Sequence, residues 1–192
     1  MKNLRYLLWG MVALFAAAAV FVALGTDSEN PGIGLGAPFE LQTSDGTPFT
    51  LEDMRGSPHL VFFGFTHCPE ICPTTLAEVD NWTETLGDEA KDLKVYFVTV
   101  DPERDTPEVL ANYLSPFSGK VTGLTGSLEE MDKAAKGFHV YYRKVDLDDG
   151  GYTMDHTASI FLMKPDGTFM GTIAFSENPD TALDKLRRLL AS

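Results

Sequence analysis

Two uninterrupted apolar runs, each followed by a helical pattern, constrain the fold of this 192-residue chain more than any other feature. The runs are His59 to Phe65 and Leu93 to Val100, and such runs are typical of strands buried on both faces. Residues 73 to 86 follow the first run with apolar side chains near a 3.6-residue period, and Thr106-Pro107 begins a helix after the second. Strand–helix units of this kind predict a mixed sheet with helices on both faces.

The remaining elements fit the same architecture. A Ser-Asp-Gly-Thr turn predicts one hairpin, a Lys-Pro-Asp-Gly turn predicts another, and Ser127 with Glu130 forms a capping-box pattern at the start of a further helix. These segments are Phe39 to Leu41, Pro48 to Leu51, Ser127 to Phe138, Ala158 to Met163, Thr168 to Phe175 and a last helix from Asn178-Pro179. The predicted order of hairpin, βα, βα, α, hairpin and α is typical of a thioredoxin-like α/β sandwich.

The N-terminal segment has a different composition from the rest of the chain. Lys2 and Arg5 precede 19 uncharged residues, Leu7 to Gly25, which is the length that a helix needs to cross a bilayer. We therefore expect a single-pass signal-anchor at 1–26, a polar tether at 27–36 and a soluble domain at 37–192, with a cleaved signal peptide as the alternative. Basic residues before the apolar run place the domain on the periplasmic, extracytoplasmic side of the inner (cytoplasmic) membrane.

The charge balance excludes one class of partner. Fifteen Lys and Arg stand against 28 Asp and Glu, a formal net charge of −13. Because nucleic-acid binding needs a basic surface, we expect no nucleic-acid partner.

Cys68 and Cys72 lie between the first buried strand and its helix, where the carboxyl ends of strands gather ligands and reactive groups in open α/β sheets. A helix N-terminus lowers the pKa of a nearby thiol. A structural disulfide is one interpretation, but so short a loop adds only about 2 kcal/mol to stability. Redox chemistry and metal binding are the others, and the Cys-x3-Cys spacing departs from the Cys-x-x-Cys of thioredoxin-type oxidoreductases.

A histidine far along the chain is the candidate third ligand. His156 follows Asp155 just before a predicted strand, and a carboxylate beside an imidazole can orient it toward a metal, although a surface histidine is the alternative. His59, His67 and His139 are weaker candidates. Two thiolates and one imidazole are a soft donor set that favours Cu(I), with zinc as the principal competitor.

Three sequence blocks in this order resemble the Sco/SenC family. They are Phe65 to Thr74 (FTHCPEICPT), Val100 to Pro107 (VDPERDTP) and Asp155-His156-Thr157 followed by Pro165-Asp166-Gly167. The resemblance implies a thioredoxin-like protein that binds copper through Cys68, Cys72 and His156, with Cu(I) expected and Cu(II) as the alternative oxidation state. It further implies assembly of the dinuclear copper centre of cytochrome c oxidase subunit II, with a copper donor protein upstream. Asp101 corresponds to the family's acidic residue near the site, and Asp155 is a second candidate for that supporting role.

The leading functional interpretation is a membrane-tethered copper metallochaperone, which is not primarily an enzyme. The alternative is a thiol-disulfide reductase that keeps the cysteines of the oxidase copper site reduced, with Cys68 and Cys72 as the redox-active pair. A peroxide-reducing relative is a third interpretation, but no arginine flanks Cys68 to activate it.

Overall fold

The computed structural model describes Trp9 and residues 35–117, 120–148 and 150–192. The chain divides into two compact units, Met1–Gly32 and Ile33–Ser192. In the first unit the described residue is Trp9, which is helical and exposed. The predicted anchor at 1–26, Trp9 apart, lies outside the described residues, as does most of the predicted tether. Within the part of the chain that is described, no helix is long and apolar enough to cross a membrane.

In the second unit, nine strands and four α-helices are described. The strands are β1 (Glu40–Thr43), β2 (Pro48–Thr50), β3 (His59–Gly64), β4 (Lys94–Thr99), β5 (Val121–Thr125), β6 (Tyr142–Asp146), β7 (Tyr152–His156), β8 (Ile160–Met163) and β9 (Phe169–Ile173). The helices are α1 (Ile71–Leu86), α2 (Pro107–Leu114), α3 (Leu128–Gly137) and α4 (Pro179–Leu190), with short 3-10 helices at Leu51–Met54 and Gly87–Ala90.

Seven strands form one mixed sheet in the order β2-β1-β5-β4-β3-β8-β9, and β6 and β7 form a separate two-stranded sheet. The central strands β3, β4 and β5 are parallel, because helices α1 and α2 return the chain between them. The outer strands pair antiparallel, β8 with β3 on one side and β1 with β5 on the other. The thioredoxin-like mixed sheet predicted from the sequence is therefore confirmed.

Helices cover both faces of the sheet, because neighbouring side chains of a buried strand point in opposite directions. On one face Phe62 packs against Phe97, which in turn packs against Tyr113 of α2. On the other face Phe63 packs against Phe138, which follows α3 directly. Every residue of β3 is buried, as the continuous apolar run predicts.

Helix starts follow the predicted caps with two differences. Helix α1 begins at Ile71, two residues before the predicted start at residue 73. Thr106 accepts a hydrogen bond from the Val109 N–H (3.3 Å), and Ser127 accepts one from the Glu130 N–H (3.2 Å). The capping box at Ser127 is not reciprocal, however. The Glu130 carboxylate accepts from the Glu40 N–H (2.8 Å) instead, which connects α3 to β1.

Two parts of the fold are absent from the sequence-based order. Strand β5 was not predicted, because it has only five residues and because Thr122 and Gly123 interrupt its apolar pattern. The β6–β7 hairpin was not predicted either, because most of its side chains are half-buried or exposed and several carry charge. As a result, His156 is the last residue of strand β7. The sequence pattern instead predicts a loop at this position, just before the next strand.

Candidate metal centre

The end of strand β3 delivers both cysteines to one edge of the sheet. After Gly64 the chain enters a loop that carries Cys68, and α1 then places Cys72 in its first turn. A Cβ built on Gly64 would lie 3.0 Å from the Cys72 sulfur, so the strand needs glycine for the helix to approach this closely. Both cysteines are free thiols, and the Cys72 N–H donates to the Cys68 sulfur at 3.3 Å.

The two sulfurs differ in their affinity for protons. A hydrogen bond from the Cys72 side chain is the main reason that the pKa of Cys68 falls to about 4, with further contributions from His156 and from the Cys72 backbone N–H. The same hydrogen bond, together with burial, raises the pKa of Cys72 above its usual value. Cys68 is therefore the thiolate at neutral pH and Cys72 the thiol that donates to it. Thiolates are the form that binds soft metals and attacks disulfides.

Strand β7 brings His156 to this pair from 84 residues farther along the chain. Its Nε2 lies 3.7 Å from the Cys72 sulfur, and its Nδ1 lies 2.9 Å from the Thr157 carbonyl oxygen. Because a carbonyl oxygen only accepts, Nδ1 carries a proton, and Nε2 is the ring nitrogen that faces the sulfurs. Phe65 and Phe62 pack edge-on against the ring, with centroids at 5.7 and 6.4 Å.

The separation between Nε2 and the Cys72 sulfur fits two ligands of one cation. A metal that binds sulfur at about 2.3 Å and imidazole nitrogen at about 2.0 Å holds these donors roughly 3.5–3.7 Å apart at bond angles of roughly 110–120°. The three donors are not yet arranged as a complete metal site. In the described part of the chain, no group of three or more His, Cys, Asp or Glu side chains is already positioned to hold a metal ion. Binding by all three requires a local adjustment of their atoms.

The site opens into a cleft of about 320 Å³, which Cys68 to Ile71 line on one side and Thr153 to His156 on the other. Cys72 is fully buried, whereas Cys68 is 9% exposed, so Cys68 is the sulfur that faces the cleft. A larger groove of about 480 Å³ lies elsewhere, between the first hairpin and α3, and none of the predicted donors lines it.

A cluster of charged and aromatic side chains attaches the His156 hairpin to the loop after β4. The Arg104 guanidinium pairs with Asp101 through Nε, donates from Nη1 to the Tyr152 carbonyl oxygen (3.0 Å) and stacks 3.7 Å above the Tyr152 ring. The Tyr152 hydroxyl donates to Asp101 at 2.9 Å. We call Asp101, Arg104 and Tyr152 the Arg104 cluster. The cluster holds Asp101 against the β6–β7 hairpin. Asp101 thereby supports strand β7, which carries His156.

Asp155 occupies a different position from the one expected of a carboxylate that orients His156. It points to the exposed side of β7 and pairs with Arg143 at 3.1 Å. The His156 ring has the Thr157 carbonyl as its partner instead. Of the other histidines, His59 is buried at the far end of β3 and bonds Ser57, while His67 and His139 are exposed.

Sequence reasoning missed two polar groups beside the dithiol. Asp105 is fully buried and accepts hydrogen bonds from Thr66 and Thr99, which fixes the start of the cysteine loop. Burial raises the pKa of Tyr113, and its buried hydroxyl has no partner among the described residues. A signal for Asp105 was present, since it belongs to the second sequence block, but nothing local marked Tyr113.

Comparisons with known proteins show which proteins the chain is similar to. A family model described as SCO1/SenC matches residues 27–191. The chain is 42% identical over 139 residues to "Protein SCO1 homolog, mitochondrial" of Homo sapiens, which is 71% of this chain and 46% of that protein, so it spans about half of the relative's length.

Solved structures extend the similarity to three dimensions. The structure of Bradyrhizobium japonicum ScoI with copper bound is 42% identical, with a TM-score of 0.74, and the match covers 81% of this chain and 99% of that one. Yeast Sco1 with copper bound is 34% identical, with a TM-score of 0.75, and the match covers 83% and 90% of the two chains.

Proposed function

This chain belongs to the SCO1/SenC family, and from that premise we propose that it is a copper metallochaperone that binds copper through Cys68, Cys72 and His156. The observation that carries the proposal is the 3.7 Å separation between His156 Nε2 and the Cys72 sulfur, across 84 residues of sequence. Thiolate and imidazole donors favour Cu(I) over the hard cations. The similar structures of Bradyrhizobium japonicum ScoI and yeast Sco1 also have copper bound.

Copper is the cargo of the proposed reaction, and the site's exposure suits its transfer. A three-donor site leaves room for a ligand from another protein, whereas a closed four-ligand site resists exchange. Cys68 faces the cleft and is the thiolate, so an incoming thiolate would approach from its side. Metal binding requires both sulfurs to be reduced and deprotonated, which couples loading to redox state.

We extend the proposal to the location and the partners. The uncharged run from Leu7 to Gly25 would anchor the chain in the inner membrane with the copper domain outside the cytoplasm. The proposed recipient is the dinuclear copper centre of cytochrome c oxidase subunit II, and a separate copper protein would load the site.

Copper stoichiometry of the reduced protein tests the donor set. Cys68→Ser, Cys72→Ser and His156→Ala should each lower the bound copper sharply, because each removes one donor atom. His139→Ala is the matched control, since His139 is exposed and outside the site. Undiminished copper in all three site variants would refute the proposal.

A second function, thiol-disulfide reduction, is favoured by one specific observation. The pKa of Cys68 lies near 4, which makes it an attacking thiolate with Cys72 as the resolving thiol. In that function His156 would be dispensable. His156→Ala should therefore keep disulfide-reducing activity if reduction is the role, and a variant that loses both copper and reducing activity would argue against it.

A further inference from the structure

Strand β7 has a free edge next to the dithiol. In an antiparallel pair, hydrogen-bonded residue pairs alternate with pairs whose backbone groups point outward. The Thr157 N–H donates to the Tyr141 carbonyl (3.0 Å), and the Leu147 N–H donates to the Gly151 carbonyl (2.8 Å). Gly151 and Thr157 are therefore in hydrogen-bonded pairs. Since such pairs recur at every second residue, the backbone groups of residues 153 and 155 also face β6. The backbone groups of Tyr152, Met154 and His156 therefore point away from β6.

The outward direction has an independent check. The Tyr152 carbonyl oxygen accepts from the Arg104 side chain at 3.0 Å, and Arg104 lies outside the β6–β7 ladder. Met154 lies two residues after Tyr152, and its N–H and carbonyl have no hydrogen-bond partner among the described residues. Strand β7 pairs with β6 alone in that part of the chain. An unpaired strand edge is a template for a further strand.

The cleft at the metal centre runs along this edge. A cleft over one face of a strand would touch alternate residues, whereas this cleft touches the four consecutive residues Thr153 to His156. Cys68 to Ile71 form its opposite wall. Its volume of about 320 Å³ is enough for a short extended segment but not for a helix with its side chains.

The charge of the cleft restricts the charge of any segment that can bind in it. Glu70 and Asp155 line the cleft, whereas no lysine or arginine of the described residues lines it. Asp155 is paired with Arg143, whereas Glu70 has no ion pair in the described residues. The whole chain carries a net charge of −13, so a basic segment is attracted and an acidic one repelled.

We propose that the free edge of β7 binds an extended, basic, cysteine-bearing segment of the copper recipient as an added β-strand. Backbone pairing with Met154 would align the segment along the cleft, and its cysteine would then meet Cys68. The proposal rests on the proposed function, because it supplies the recognition step for ligand exchange at the same site. Main-chain hydrogen bonds give affinity in such complexes, whereas side-chain pockets select the sequence.

A synthetic peptide tests the pairing in the full chain carrying Cys72→Ser. The probe has seven residues, with a central cysteine, alternating valine and threonine around it, and a lysine at each end. Its cysteine is carried as a mixed disulfide with thionitrobenzoate. The Cys68 thiolate attacks the peptide sulfur and thionitrobenzoate leaves as a thiolate, so one S–S bond forms while another breaks. The rate of thionitrobenzoate release is the readout.

Two N-methylated peptides provide the matched controls. One carries N-methyl groups on the odd residues and the other on the even residues, so each removes the N–H donors of one edge only. One of them should react roughly tenfold more slowly than the parent peptide, which corresponds to about 1.4 kcal/mol, and the other should match it. Equal rates for all three peptides would overturn the proposal.

Two further measurements use the protein side of the contact. In the peptide adduct, the Met154 amide should exchange with solvent more slowly than in the free protein, and unchanged exchange would contradict strand addition. Met154→Pro removes the outward N–H and places a ring methylene at the edge, so it should block strand addition and abolish the difference between the N-methylated peptides, while Met154→Ala should keep it. Copper stoichiometry of the chain without Cys72→Ser is measured separately. A protein that binds copper but shows no edge preference refutes the docking alone, and one that binds no copper refutes the proposed function.

Discussion

Arg104→Lys should weaken copper binding without changing the dithiol. The guanidinium holds two groups at once, Asp101 through Nε and the Tyr152 carbonyl through Nη1 at 3.0 Å. A lysine ammonium keeps the charge but cannot reproduce that two-pronged geometry. A hydrogen bond from a charged donor contributes about 1.5–3 kcal/mol. If that free energy is coupled to the placement of His156, copper affinity falls by about tenfold to about a hundredfold, in the range typical of residues that orient metal ligands.

Competition with a chromogenic Cu(I) chelator under nitrogen measures this change. The reduction potential of Cys68 and Cys72 should be unaltered, because both sulfurs are carried by the loop and helix after β3. Arg143→Lys is the matched control, since the Arg143–Asp155 pair is 61% exposed on both sides and surface pairs contribute about 0–1 kcal/mol. In a His156→Ala background, Arg104→Lys should have no further effect. An equal loss of affinity in both backgrounds would refute the positioning role.

Three more predictions concern the site and its packing. Asp155→Asn should change copper affinity by less than about threefold, because exposed ion pairs contribute little, and a loss as large as that of Arg104→Lys would restore Asp155 as an orienting residue. Alkylation of Cys68 by iodoacetamide should be nearly independent of pH between 6 and 8, because its pKa of about 4 leaves the thiol deprotonated above that value; a steep rise with pH would contradict this. Gly64→Ala should lower the melting temperature and the copper affinity, since its Cβ would lie 2.7 Å from Phe97 and 3.0 Å from the Cys72 sulfur and overpacking costs about 1–3 kcal/mol. Gly171→Ala, which meets nothing within 4 Å, is its control, and equal melting temperatures would count against the packing argument.

The sequence predicted the elements whose side chains are buried most completely. Strands β3 and β4 have almost entirely buried side chains, so their composition alone identifies them. Helices α2 and α4 carry local start signals, and the structure places Thr106 and Asn178 at their caps. Local patterns of this kind need no knowledge of the rest of the chain.

The hairpin that carries His156 could not be predicted in the same way. Its strands are held by contacts between distant residues, such as the pairing of Arg104 with the Tyr152 carbonyl across 48 positions. The sequence named His156 as a ligand candidate through the family resemblance and its neighbouring carboxylate. The structure brings it to Cys72, but through the Thr157 carbonyl and two phenylalanine rings, contacts that no local pattern specifies.

The separation of β6 and β7 from the main sheet has a consequence for how such proteins diversify. Both sulfurs lie on the loop and helix that follow β3 of the main sheet. The His156 imidazole lies on the β6–β7 hairpin, which in the described residues pairs with no strand of the main sheet. Changes within 142–156 can therefore remove or retune the nitrogen donor while the thiol chemistry is inherited intact. A single scaffold can thus yield a metal carrier or an electron donor by altering fifteen residues at its margin.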